Sequence, residues 1–408
     1  MPNSLLALVS GTFAAALAAG APTPGPTYSR DVAPIFNRRC VECHRSGEVA
    51  PMALTSYKEV RPWAKAIKER VITQSMPPWL ADPHYGQFRN DRRMPSSEIQ
   101  TVVDWINAGA PEGDPKLVPP PPEFESGWNI GKPDKIVDIG TDFDVPAEGV
   151  VPYKYFRVPS GFTEDTWVQA AEIRPDQRSV IHHIIVFVQE PGQKSGPGGE
   201  GGNLLVGFAP GEQPLRFEPG VAKLVKAGST FMFQVHYTPN GTAAKDRSRF
   251  GMKLASKPPE YQAFTGRALN FFFKIPPNDP DYEVKSSWTA RQDVELVGLM
   301  PHMHLRGKDF QYTIAFPDGR RQVILSVPKY SFAWQLAYEL KEPLSLPKGT
   351  RIDCVAHFDN SPNNKFNPDP NKEVHWGDQT WEEMMIGWFT YVVPRGAGAP
   401  AAPAAKSE

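Results

Sequence analysis

Proline is the residue that most restricts what this chain can fold into. It fills 44 of the 408 positions, about twice its average share of about 5%. Because proline interrupts helices, a helical bundle is disfavoured and many short strands joined by turns are favoured. Short apolar runs from about Ile136 onward fit such strands. The clearest of them cover residues 180–188, 231–237, 294–300 and 386–393.

The charge balance argues against one class of function. The chain has 44 Lys and Arg against 45 Asp and Glu, a formal net charge of −1. No run of Lys or Arg is longer than two residues. A protein that grips nucleic-acid phosphates needs a basic face. The sequence therefore predicts no nucleic-acid partner.

The first residues have the character of an export signal. Residues 5–21 are mostly apolar and small and end in Ala-Leu-Ala-Ala-Gly-Ala, which suits signal-peptidase cleavage. No Lys or Arg precedes Arg30, so the usual positive region is missing. We expect a signal peptide over residues 1–24 and a periplasmic or secreted protein. No later apolar run reaches the roughly 18 residues of a membrane span, so no stable span is predicted.

The residue composition and spacing of the remaining chain change twice. Residues 27–115 show helical spacing and predict a small helical domain, with Ser97 and Gln100 forming a capping box at its last helix. Residues 116–125 contain four consecutive prolines and predict a stiff linker. Strand-like texture follows, which predicts an antiparallel sandwich. Residues 396–408 are mostly Gly, Ala and Pro and predict a disordered tail.

A C-x-x-C-H run lies in the helical region, at Cys40-Val41-Glu42-Cys43-His44. This spacing is the signature of covalently attached c-type haem. The alternatives are a redox dithiol, which would want a βαβ context, and half of a zinc site, for which only His84 is nearby. We expect haem c on Cys40 and Cys43, with His44 as the proximal ligand.

The distal haem ligand is expected to be a thioether, because thioether ligation raises the haem potential. Met76, in Ser-Met-Pro-Pro-Trp, is the first choice, and Met94, Met52 and His84 are alternatives. The region resembles class I cytochromes c, in which a Met-Pro-Pro segment supplies the second axial ligand and a C-terminal helix follows. An insertion between Met76 and that helix departs from the small-cytochrome pattern.

Five of the nine histidines lie in three strand-like segments: His182 and His183, then His236, then His302 and His304. Residues i and i+2 of a strand share a face, so His302 and His304 could share a metal. Adjacent residues face opposite ways, so His182 and His183 could share one only if the strand twists. Such imidazole-rich groups suit copper, zinc or iron.

A methionine near the end of the chain is another candidate ligand. Met384 follows Glu383 and precedes an apolar strand-like run. A thioether is a soft ligand that favours Cu(I). The alternative is that Met384 is ordinary core packing.

Together these segments resemble the copper type II, ascorbate-dependent monooxygenases, the family of peptidylglycine α-hydroxylating monooxygenase and dopamine β-monooxygenase. The resemblance covers roughly residues 126–395. Four motifs come in the family order: His182-His183, Val235-His236-Tyr237, His302-Met303-His304-Leu305-Arg306-Gly307 and Glu383-Met384.

The resemblance implies a multidomain fold: a small all-α cytochrome c domain followed by two tandem, jelly-roll-like β-sandwiches over residues 126–258 and 259–395. Each sandwich would hold one copper ion. The expected ligands of the electron-storing copper are His182, His183 and His236. Those of the copper where O2 and substrate react are His302, His304 and Met384.

The implied function is hydroxylation of a C–H bond in a small organic substrate with O2. An external donor, either an ascorbate-like reductant or a redox protein, would supply electrons through the haem. The cofactors would be two copper ions and one haem c. A non-catalytic electron-transfer or copper-binding protein is the alternative. A sandwich that binds a carbohydrate or another partner would require the six copper-ligand candidates to be scattered in space.

Several positions depart from the family pattern. Met300 stands where the peptide-amidating branch has an arginine, and Trp388 where it has a tyrosine, so an apolar, aromatic pocket is expected and a glycine-extended peptide is disfavoured. Cys354 stands alone and is expected to be a free buried thiol. His357 and His375 are expected to be structural.

Overall fold

The computed structural model describes residues 25–46, 48, 50–123, 127–193, 203–209 and 211–396. The expected signal peptide, residues 124 and 125 of the expected linker, and the expected tail beyond residue 396 lie outside the described residues. The described chain is mostly β-sheet packed as sandwiches, with few helices. This agrees with the fold class that the proline content favours. Among the described residues, no helix is both long enough and apolar enough to cross a membrane.

The α-helices of the described chain are short and precede the strands. They are α1 (Ala33–Arg39), α2 (Tyr57–Val60), α3 (Ala64–Ile72) and α4 (Ser96–Asn107). They surround one buried cluster that includes Phe36 and Trp105. The capping box predicted at Ser97 is wrong, because α4 begins at Ser96 after Pro95 with no side-chain cap. The Gln100 amide instead donates along the helix to Asp104.

The first group of strands forms two facing sheets. One sheet contains β1 (Lys135–Asp138), β4 (Thr166–Arg174), β7 (Leu215–Arg216), β8 (Val221–Val225) and β11 (Arg249–Leu254), and the other contains β3 (Lys154–Pro159), β5 (Ile181–Gln189), β6 (Asn203–Phe208) and β9 (Thr230–Tyr237). A short pair, β2 (Phe143–Val145) and β10 (Ala244–Asp246), flanks them. The core between the sheets includes Val186, Phe231 and Phe250.

The second group repeats this arrangement. One sheet contains β12 (Tyr261–Leu269), β15 (Val294–His302), β18 (Tyr338–Leu346) and β21 (Ile386–Pro394), and the other contains β14 (Tyr282–Thr289), β16 (Gly307–Ala315), β17 (Arg321–Val327) and β19 (Arg351–Phe358). A short pair, β13 (Lys274–Ile275) and β20 (Val374–His375), flanks them. The core includes Leu299, Tyr312 and Phe389.

One continuous sheet joins the two groups. β8 and β12 pair in parallel through Tyr261 and Val221, whereas the other strand pairs of the described chain are antiparallel. The buried Lys223 side chain reinforces the join. Its Nζ donates to the Leu204 and Leu205 carbonyls at 2.7 and 3.1 Å and to Thr265 Oγ1 at 2.8 Å.

Residues 79–90, which we call the docking segment, attach the helical part to the second sandwich. The indole of Trp79 packs edge-on against Tyr338 of β18, with ring centroids 4.9 Å apart. The Asp82 amide donates to the Ser326 carbonyl at 2.8 Å, and Arg89 pairs with Glu339 at 2.6 Å. The insertion that departs from the small-cytochrome pattern therefore anchors the helices on the β-sheets.

Candidate metal centre and haem-attachment site

The first histidine set lies where β5 and β9 pair. His182 and His183 begin β5, and His236 lies near the end of β9. The pairing register shifts between Ile181 and His183, so His182 is an extra residue in a β-bulge. One ring nitrogen from each of the three imidazoles lies within 4.8 Å of the others. The bulge explains how two adjacent residues, which face opposite ways on a regular strand, can serve one site.

Burial keeps these imidazoles neutral and leaves ring nitrogens unsatisfied. It lowers the pKa of His182 to about 4 and of His236 to about 3, and lowers the pKa of His183 well below its usual value. Among the described residues, His183 Nε2 and His236 Nδ1 are buried without a hydrogen-bond partner. A buried polar atom without a partner is costly. Three neutral imidazoles, each with a ring nitrogen that can act as a ligand, fit a copper ion.

The second histidine set lies at the end of β15. His302 ends the strand and His304 follows two residues later, with ring centroids 5.3 Å apart and perpendicular planes. His302 Nδ1–H donates to Gln335 Oε1 at 2.7 Å, and His304 Nδ1–H donates to the Glu382 carbonyl at 3.1 Å. These bonds fix both rings and leave Nε2 available, as in metal-bound histidines. His304 Nε2 is buried without a partner in the described structure.

Glu383, the residue before Met384, contacts the second set. The Glu383 carboxylate is fully buried and accepts the backbone N–H groups of His304 at 2.8 Å and Arg306 at 2.6 Å. Met384 is also buried, and it lines the same cavity as His302. The carboxylate therefore ties the segment that carries the thioether to the histidine turn. The fit to copper extends to this set, because it combines imidazole and thioether donors.

A single aromatic ring separates the two sets. Phe332 stacks on His182, with centroids 4.7 Å apart and planes 10° apart. The same ring lies 5.8 Å from His304 and 6.2 Å from His236. Neither Phe332 nor Gln335 was predicted from the sequence. Both lie in the irregular connection between β17 and β18, where no motif or periodicity distinguishes them.

The C-x-x-C-H run follows α1 and has free thiols at Cys40 and Cys43. His44 Nδ1–H donates to the Met52 carbonyl at 3.2 Å, which leaves Nε2 available. Cys43 lines a cavity of about 830 Å³ between the helical part and the first sandwich. Two free thiols and an oriented imidazole fit covalently attached haem.

The four candidates for the distal haem ligand lie in different surroundings. Met94 and Met52 belong to the helical cluster that also packs Cys40. Met76 is half-buried and comes just before the docking segment. His84 is exposed and bonds Asp82 at 2.6 Å. Met76 as the distal ligand stays a prediction.

An ion pair links the haem-attachment loop to the first histidine set. Glu48, four residues after His44, accepts a hydrogen bond from Arg178 at 2.6 Å. Arg178 lies four residues before His182 on the segment that leads into β5. The guanidinium also lies over the ring of Phe208, which lines the cavity beside Cys43. The two candidate redox sites are therefore joined by one short connection.

The remaining sequence expectations concern residues outside the two sets. Met300 and Trp388 face each other across β15 and β21 and line one cavity. Cys354 is a buried free thiol, as expected. His357 donates to Asp309 at 2.7 Å, and His375 lies 2.9 Å from Glu373. These two histidines pair with carboxylates and not with the other imidazoles, in agreement with a structural role.

Comparisons with known proteins add little. No protein-family model and no curated protein matches the chain. Among solved structures, the major capsid protein P2 of bacteriophage PM2 is 8% identical over 64% of this chain and 98% of that one, with a TM-score of 0.28. The infectious bursal disease virus Gx strain structure is 8% identical over 65% and 75%, with a TM-score of 0.21. TM-scores this low support no inference about fold or function.

Proposed function

We propose that the protein is an exported, copper-dependent monooxygenase that hydroxylates a C–H bond of an organic substrate with O2 and receives electrons through its own c-type haem. One observation carries the proposal. Five histidines from three distant stretches of sequence gather around the Phe332 ring, and three of their buried imidazole nitrogens lack partners in the described structure. A purely structural role would leave that polarity uncompensated.

The proposed roles follow the chemistry of the donors. One copper ion would be held by His182, His183 and His236, and the other by His302, His304 and Met384. Bound there, the two ions would supply one electron each, and the thioether donor would favour the Cu(I) form at the second set. Gln335 orients the ring of His302, and the Glu382 carbonyl orients the ring of His304. Burial keeps all five imidazoles uncharged.

The haem would be attached to Cys40 and Cys43, with His44 as its proximal ligand and Met76 as its distal ligand. Electrons from an external donor, either a small reductant or a redox protein, would enter here. The Glu48–Arg178 ion pair then connects this loop to the strand that carries His182 and His183. Covalent haem attachment and the apolar first residues together support export.

The test is selective reduction of the haem in the full chain loaded with Cu(II), followed by freeze-quench EPR. Loss of the Cu(II) signal on the turnover timescale, followed by incorporation of one atom of ¹⁸O2 into a product, is the expected result. A Cu(II) signal that persists beside reduced haem would overturn the electron route. Reduction of both sites without a hydroxylated product from any substrate would leave an electron-transfer protein.

A further inference from the structure

A long cavity runs from the second histidine set along β21. Its volume is about 790 Å³, and Met384, Ile386, Trp388, Thr390 and Val392 all line it. Alternate residues of a strand share one face, and eight residues at about 3.3 Å each span about 26 Å. The cavity is therefore long.

The walls of the cavity are apolar. Leu204 and Val206 of β6 line one side, and Val297, Leu299 and Leu340 of β15 and β18 line the other. Contact of an apolar ligand with such walls contributes in proportion to the area removed from water. The lining therefore favours a hydrocarbon surface along most of the length.

Charged residues also line the cavity, and several of them have partners within the protein. All three Lys223 Nζ–H donors are taken by the oxygen atoms of Leu204, Leu205 and Thr265. Burial raises the pKa of Glu212 to about 8, so this carboxyl is mostly uncharged near neutral pH. Glu295 lies opposite Val392, at the end away from Met384. Arg89 pairs with Glu218 and Glu339, and Arg216, Lys341 and Glu342 complete the charged part of the lining.

We propose that this cavity binds an elongated alkyl or acyl chain, one end of which reaches Met384 and His302. The inference rests on the proposed function in one respect, which is that the bound chain is the substrate.

The test is calorimetric titration of the full, haem-loaded chain with straight-chain 1-alkanols from hexanol to dodecanol. Affinity is expected to rise about fourfold for each added methylene while the chain is still being buried. The tetraleucine amide tests the peptide alternative and should bind more weakly than dodecanol. Absence of alkanol binding, affinity that does not depend on chain length, or tighter binding of the peptide would overturn the proposal.

Two variants locate the binding. Val297→Asp places a charge on the wall of the cavity, and Val323→Asp makes the same change on half-buried β17 outside it. The first should weaken dodecanol binding by at least tenfold and the second should leave it unchanged. Equal effects would overturn the location. Because each titration is repeated after copper is removed by a chelator, failure of copper chemistry and failure of chain binding are distinguished.

Discussion

At the scale of the residue, Glu383 has the main positioning role in the second histidine set. It is a fully buried carboxyl group, with its pKa raised by burial to about 8, that accepts the backbone N–H groups of His304 and Arg306 and directly precedes Met384. Arg306, also buried, lies 4.0 Å away and donates to Asn360 and to the Trp381 carbonyl. Glu383 therefore positions one ligand segment against another without being a ligand itself.

Replacing Glu383 tests this positioning role. Glu383→Gln puts an amide N–H where one acceptor oxygen stood, so one backbone N–H near His304 loses its partner. We expect copper affinity at the second set to fall by about 10- to 100-fold, with the first set unaffected. Competition titration with a Cu(I) chelator measures both sites.

The matched control is Glu172→Gln, because Glu172 is a buried carboxylate of the first sandwich that likewise accepts a backbone N–H, from Ile130. It should destabilise the fold without changing either copper affinity. Equal loss of copper in the two variants would show that Glu383 acts through general stability alone.

The sequence predicted candidate ligands at 182, 183, 236, 302, 304 and 384, and the structure brings His182, His183 and His236 together. The sequence did not predict their local geometry. The bulge that lets His182 and His183 share a site depends on the register with β9, which is distant along the chain. The position of Phe332 results from the packing of both sandwiches. The sequence around it has no motif or periodicity that predicts this position.

At the scale of the element, short strands were predictable and connections were not. The run at 180–188 corresponds to β5, and the run at 386–393 corresponds to β21, because alternating or continuous apolar residues dominate both. The capping box failed because local sequence cannot decide which residue begins a helix. The docking of residues 79–90 on β18 is a long-range contact without a local pattern.

Arg178 tests the connection between the helical part and β5. Arg178→Gln removes the ion pair with Glu48, so haem-to-copper electron transfer should slow while the free energy of unfolding changes by about 1 kcal/mol or less. The haem is reduced by rapid mixing, and the decay of the Cu(II) EPR signal in freeze-quenched samples gives the rate. Arg174→Gln is the control, because Arg174 pairs with Glu172 inside the first sandwich. An unchanged rate in Arg178→Gln would contradict the route.

Trp79 tests the docking segment. Trp79→Ala removes an indole that is 7% exposed and belongs to the core of the second sandwich, so we expect a loss of about 3–5 kcal/mol in the free energy of unfolding. Trp63→Ala, at an indole 44% exposed, should change it by about 0.5 kcal/mol or less. Urea denaturation of the full chain measures both. Similar small losses would mean that the segment does not anchor the helices.

At the scale of the whole molecule, one sheet crosses both sandwiches. The short parallel pairing of β8 with β12 and the buried Lys223 contacts hold the two cores in a fixed relation. The sequence could predict two groups of strands, yet not the pairing between them, because two residues of parallel register leave no periodic signature.

Glu212 lines both the cavity beside Cys43 and the cavity along β21. Its titration makes the free energy of unfolding depend on pH. Burial raises the folded-state pKa of Glu212 to about 8, above its unfolded value of 4.5. Between those values the folded state holds a proton that the unfolded state has released. The stabilising contribution is therefore complete below pH 4.5 and is lost as pH rises towards 8.

Comparison with Glu212→Gln measures this contribution. Between pH 5 and 8, the free energy of unfolding of the wild type should fall relative to the variant by at most about 1.4 kcal/mol per pH unit. Urea denaturation at several pH values provides the comparison. Parallel pH profiles for the two proteins would contradict the raised pKa.

The central claim is that six distant side chains form two copper sites, and metal content tests it most directly. The full, haem-loaded chain is dialysed against Cu(II), and copper per chain is determined by mass spectrometry. We predict two copper ions in the wild type, one in His236→Ala and one in His304→Ala. Haem without tightly held copper, or the same copper content in all three proteins, would contradict the account.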